Sequence, residues 1–110
     1  MNNLKEVIDY CLGLGNAYKD KPFRDKNWTV IRHIDSKKVF AWIFEKDDYL
    51  LVNVKDEPDL IDLMRQIYPS VVPGFHLNKD HWNSIILDGT IPKKEIHDMI
   101  RKSYLLTKRK

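Results

Sequence analysis

The chain has 110 residues, of which 43% are hydrophobic and 32% charged, and a formal net charge of +3. This is the composition of one globular domain spanning residues 1–110, and it excludes a disordered chain. The lone Cys11 excludes an internal disulfide, no apolar run reaches the ~20 residues of a membrane span, and the first residues form no apolar leader, so a cytoplasmic protein is expected.

Leu4, Val7, Ile8, Cys11 and Leu12 recur at helical spacing. They predict a first helix over 3–14, capped by Asn2 or Asn3 and ended by Gly13, Gly15 and Asn16. Residues 16–27 read as a polar loop pinned by Pro22 and Phe23. The period then changes. Trp28–Ile34, Val39–Phe44 and Tyr49–Lys55 are rich in β-branched and aromatic residues and predict three strands. Turn residues at 35–38 and 46–48 join them into an antiparallel meander. In the third strand Leu50, Val52 and Val54 share one face, and Asn53 and Lys55 the other.

Pro58 predicts the first turn of a second helix, with Leu60, Leu63, Met64 and Ile67 as its apolar stripe. Pro73 and Gly74 suit the two central positions of a type II turn. A short strand at 75–77, a connector through Asn78-Lys79-Asp80 and a strand over 82–87 follow, and Asp88-Gly89 turns the chain. A last helix spans 92–106. Ile96, Met99, Ile100, Ser103 and Tyr104 share one face of it, and Asp98 is placed to pair with Lys102. Its start, with Lys93 and Lys94 at the positive end of the helix dipole, lacks a good cap. Residues 93–110 carry seven basic and two acidic side chains, so the positive excess of the chain lies in this segment.

The stretch Val72-Pro73-Gly74-Phe75-His76-Leu77-Asn78-Lys79-Asp80-His81-Trp82-Asn83-Ser84 resembles the signature of the MmcQ/YjbR family. Cys11, Pro22-Phe23, Val39-Phe40-Ala41, Asn53-Val54-Lys55 with Pro58, Asp88-Gly89, Pro92 and Ser103-Tyr104 extend the resemblance along the chain. It departs at Gly15-Asn16, where the family tends to have Pro-Gly, and at Asp56, where relatives often carry Cys. The resemblance implies an α+β fold of two layers, α-β(3)-α-β(2)-α, with an antiparallel sheet backed by helices, as in secretion chaperones and frataxin-like proteins. It also implies DNA binding through a double-wing motif, and it carries over no catalytic residue. Within the motif Pro73, Gly74, His76, Asn78, His81 and Trp82 are its marks.

Chemistry-bearing residues are few. His76 and His81 lack further ligands at zinc spacing, His33 and His97 are remote, and the acids form no ridge for iron, so no metal or cofactor is expected. Cys11 sits among apolar residues and reads as a small buried hydrophobe. Ser84, His81 and Asp88 span one strand and point to opposite faces, without a nucleophile elbow, and an enzyme is not expected. Asn78, Lys79 and His81 read as one wing tip, and Lys37 and Lys38 as the second. Arg101 and Lys102, with Lys108, Arg109 and Lys110, add phosphate attraction. Asn78 also suits a purely turn-stabilising role, and Trp82 a core-closing one. The expected molecule is monomeric and non-enzymatic, and DNA is its first partner. A protein-docking module using a sheet face or edge is the alternative. A third reading is a small-ligand cavity lined by Trp28, Trp42, Tyr49 or Trp82.

Overall fold

A computed structural model describes residues 1–108. The chain folds as α1 (Leu4–Gly13), β1 (Ala17–Asp20), β2 (Thr29–His33), β3 (Val39–Lys46), β4 (Tyr49–Lys55), α2 (Pro58–Ile67), β5 (Val71–Pro73), β6 (Trp82–Ile86) and α3 (Lys93–Lys108). The six strands form one antiparallel sheet in the order β1-β2-β3-β4-β6-β5. The expected α+β, two-layer architecture is present, with β1 as an additional edge strand.

One sheet face packs on the helices. Leu50, Val52 and Val54 of β4, with Ile43, Ile85 and Val71 on neighbouring strands, join Val7, Ile8 and Cys11 of α1 and Ile96, Met99 and Ile100 of α3 in one core. The predicted stripe of α3 is buried throughout, and Thr107 extends it. A register shift between Ile31 and Arg32 pairs Arg32 with Val39. The bulge lets both Phe40 and Ala41 enter the core. Phe40 lies edge-on to Tyr104, with ring centroids 5.1 Å apart. Asn3 caps α1 by accepting the Glu6 amide hydrogen at 2.8 Å. Asp47 and Asp48 are both left-handed, as a two-residue type I′ hairpin between β3 and β4 requires.

The structure corrects five expectations. Residues 17–20 form strand β1, because their backbone pairs with Val30–His33; their polar side chains suit an edge. The short strand before β6 lies at 71–73, not 75–77. Pro73 is tolerated there because β5 is an edge strand. Gly74 serves close approach, not a type II turn: a Cβ on it would lie 2.8 Å from the Trp82 carbonyl oxygen. In α2, Ile61 is the buried residue, whereas Leu63 and Ile67 are 43% and 50% exposed. Asp98 pairs with Lys94 and Arg101, while Lys102 reaches Asp56 at 3.5 Å. The weak start of α3 is relieved across the fold, where Glu6 binds Lys93 at 2.9 Å.

Gly74→Ala forces β5 and β6 apart and is expected to cost about 1–3 kcal/mol in urea unfolding. Gly13→Ala, with open space around the new methyl group, is expected to be neutral or slightly stabilising.

Candidate functional site

Antiparallel order brings an end of each strand to one end of the sheet: the starts of β1, β3 and β6 and the closes of β2, β4 and β5. The second half of α3 crosses this end. Ser103 donates to the Phe40 carbonyl at 2.6 Å and accepts from the Lys55 amide at 2.8 Å. Thr107 lies 2.8 Å from Nε2 of the buried His33. Among the described residues, Lys37 and Lys38, Asn78, Lys79 and His81, and Arg101 and Lys102 lie on segments that meet this end.

Lys37 and Lys38 form the β2–β3 tip, closed by the Lys37 amide on the His33 carbonyl and the His33 amide on the Lys38 carbonyl, each at 2.9 Å. His33 sits beneath the tip and titrates below the usual imidazole range. Burial is the main cause, and the positive charges of Lys108 and Lys38 add to it, partly opposed by Asp35. Lys38 and Lys108, seventy residues apart, thus act on one imidazole. Arg101 and Lys102 lie on the same stretch of α3, each facing an acid, Asp98 and Asp56. Arg109 and Lys110 lie outside the described residues.

The other wing, residues 74–81, is held more tightly than the sequence suggests. Asn78 accepts the Asp80 amide hydrogen through its side chain at 2.8 Å and the Trp82 amide through its carbonyl at 3.0 Å. Lys79 Nζ folds back to the Gly74 carbonyl at 2.8 Å. His81 passes its carbonyl to the Asp56 amide at 3.1 Å. Trp82 is half-buried where β6 pairs with Lys55. Arg65, which sequence reasoning missed, binds Asn83 Oδ1 at 2.7 Å and also the Lys79 carbonyl. Only its place opposite the leucine-bearing side of α2 hinted at such a role.

The second feature lies on the sheet face turned away from the helices. Trp28 stacks on Phe44, with centroids 4.3 Å apart. Phe75, anchored by the Asn53 side chain at 2.9 Å and the Ser84 hydroxyl at 3.0 Å, meets Phe44 edge-on. Phe23, Asp25, Trp28, Trp42, Phe75, His76 and Leu77 line an open cavity of about 380 Å³. Trp28 and Trp42 thus line a cavity as anticipated; Tyr49 borders a separate depression, and Trp82 lines neither.

Nucleophilic chemistry finds no assembly here. Cys11 is fully buried, and burial pushes its thiol up to about 12. Ser84 binds Asn53, whereas Asp88 binds Ser70 and Thr90, so Ser84, His81 and Asp88 do not converge. Among the described residues no three His, Cys, Asp or Glu side chains gather as a metal site, and no helix is long and apolar enough to cross a membrane.

The YjbR family model matches residues 12–106. The chain is 30% identical to the uncharacterised protein YjbR of Escherichia coli K12 over 101 residues, covering 92% of this chain and 83% of that one. It is 34% identical to the uncharacterised protein YyaQ of Bacillus subtilis over 92 residues, covering 74% of this chain and 77% of that one. A Deinococcus radiodurans protein with the DUF419 domain superposes with a TM-score of 0.90 at 31% identity, over all of this chain and 81% of that one. A Pseudomonas syringae protein does so with a TM-score of 0.85 at 29% identity, over 96% and 98%. The chain belongs to the YjbR/MmcQ family.

Proposed function

We propose that this protein is a non-enzymatic DNA-binding domain whose contacts are mainly to phosphates, made from the end of the sheet where β2, β4 and α3 finish. The observation that supports the reading is geometric: the Lys37–Lys38 tip closes on the backbone of His33, and Nε2 of His33 lies 2.8 Å from the hydroxyl of Thr107, next to Lys108, so the tip and the end of α3 put their positive charges into one field. Lys37 extends that field. The centres of the β2–β3 tip and of the 74–81 loop between β5 and β6 are three strand spacings apart in the sheet, roughly 14 Å. That is close to the ~12 Å width of the major groove, so the two wings can straddle it. The acids beside Arg101 and Lys102 moderate their pull, so the salt dependence should come mainly from the cations of the tip and the end of α3.

A second reading, protein docking, draws on Leu63 and Ile67, one turn apart and exposed on α2. The covered centre of the helix-free face and the four-residue edge strand β1 offer less. Leu63→Ser is expected to leave DNA affinity unchanged.

Fluorescence anisotropy on a labelled duplex at low salt tests the DNA reading. Saturable binding is expected, and Lys37→Glu with Lys38→Glu should weaken it at least tenfold and lower the salt slope by about two. No saturation at micromolar protein would contradict it.

His33 supplies an independent test. A polyanion over Lys38 and Lys108 screens the charges that depress it, so its pKa should rise on DNA binding, and by linkage DNA should bind more tightly as the pH falls through it. Without DNA the sign for stability is opposite. A depressed imidazole binds its proton more readily in the unfolded chain, so stability is full above the usual imidazole pKa. It is lost as the pH falls from there through the folded value. His97, also depressed by burial, acts in the same direction. Histidine ring resonances followed against pH, with and without duplex, check both signs.

A further inference from the structure

The open cavity on the helix-free face is walled almost entirely by aromatic rings, and the charge beside them is negative. Phe23, Trp28, Trp42, Phe75 and His76 supply the rings, and Asp25 supplies a carboxylate. Among the described residues no lysine or arginine lines it. Oδ1 of Asp25 accepts the Asn27 amide hydrogen at 2.9 Å, and the carboxylate makes no ion pair among the described residues.

The rings are spaced to share one cation. The centroids of Phe23, Trp28 and Trp42 lie 6.2, 6.3 and 6.4 Å from one another. Three centroids so spaced leave points above their common plane that are within the ~6 Å reach of a cation–π contact from all three. Trp28 stands at 77° to Phe23 and 87° to Trp42, so the rings form a corner and not one flat stack. The same cluster already holds one ammonium: Lys46 Nζ lies 5.2 Å from the centroid of Phe75, where that ring borders the neighbouring depression. The walls are also set in advance. Trp28 stacks on Phe44, and both backbone groups of Phe75 are bonded. His76 is held at φ 68, a left-handed backbone that a residue with a Cβ adopts at a cost, and strain of this kind collects at ligand clamps.

We propose that this cavity binds a small quaternary ammonium compound, with the alkylated nitrogen against Phe23, Trp28 and Trp42 and its charge balanced by Asp25. Each feature selects against a rival. An anion is repelled by Asp25 and by the negative faces of the rings. A primary ammonium is strongly hydrated and carries three donors, for which apolar walls offer few acceptors. A neutral aliphatic group fills the space but gains nothing from the carboxylate. An alkylated ammonium has no N–H to satisfy and is drawn by the rings and the carboxylate together. A volume of about 380 Å³ lies in the usual range of small-molecule sites, and the open mouth leaves a polar tail in water. None of the lining residues is among those proposed for phosphate contact, so this site and the DNA reading stand or fall separately.

The test compares choline with its isosteric neutral alcohol, in which a tert-butyl group replaces the trimethylammonium. Each is titrated into ¹⁵N-labelled protein at constant ionic strength. The amide resonances of Phe75 and His76 and the indole resonance of Trp28 report on the walls. Saturable shifts with millimolar choline are expected, and the alcohol should bind about fivefold more weakly or worse. Asp25→Asn removes the charge and keeps an Oδ1 acceptor for the Asn27 amide. It should weaken choline about threefold and leave the alcohol unchanged. Phe23→Leu exchanges a half-exposed ring for an aliphatic group and should weaken choline about threefold while the chain stays folded. Equal binding of choline and the alcohol overturns the proposal, since the cavity would then be apolar and nothing more. An absence of saturable shifts overturns it too. So does binding of a trimethyllysine peptide while choline moves no resonance, which would make the occupant a protein side chain.

Discussion

Buried hydrogen bonds between β4, β6 and the 74–81 loop hold together what the rest of the molecule uses. Asn53 and Ser84 stand side by side on neighbouring strands, fully buried, and bind each other. Between them they hold both backbone groups of Phe75. Asn83, on the opposite face, binds the Ile61 carbonyl and Arg65, and Arg65 reaches the Lys79 carbonyl. The loop between β5 and β6 is thus fastened from both sheet faces. Buried polar groups stabilise only when satisfied, so losing one partner strands the others. A single network thereby shapes both a wing of the DNA-binding reading and a wall of the aromatic cavity.

Charge is arranged more sparingly than the net +3 suggests. Lys93, Lys94, Arg101 and Lys102 each face a carboxylate, so the basic α3 segment does not act as an unbroken stripe. The field gathers where the β2–β3 tip meets the end of α3, over a histidine whose pKa burial lowers. A surface of this kind attracts phosphates weakly and releases them with salt. On the proposed DNA reading, that behaviour would suit an accessory protein held mainly by phosphates.

Much of this was legible in the sequence where periodicity was long. The helical spacing of α1 and α3, the alternation of Leu50, Val52 and Val54, and the Pro58 start each correspond to an element in place. Short elements were not legible. Strand β1 is four residues whose strand character comes from pairing with β2, which no local pattern encodes. Strand β5 ends at Pro73, and the pair Pro73-Gly74 reads as a turn until the closeness of Trp82 is known. The stripe of α2 was rotated: Leu63 and Ile67 fit a periodic count but are exposed, whereas Ile61 is buried and Met64 packs against the core. Asn53 was placed on the face opposite Leu50, Val52 and Val54; its full burial there, beneath Phe75, was not legible. The candidate site divides likewise. Trp28 and Trp42 could be named as cavity residues, but Phe23, Phe75 and His76 join them only in three dimensions.

Backbone hydrogen exchange at Phe75 examines the network directly. Its amide, bonded to a fully buried serine, should exchange as slowly as those of β4, and Asn53→Ala should make it fast while the β3–β4 ladder stays protected. If the Phe75 amide of the unaltered protein exchanges as quickly as the exposed amides of residues 78–80, the loop is not fastened in this way. Neither the wing nor the cavity wall would then be preorganised.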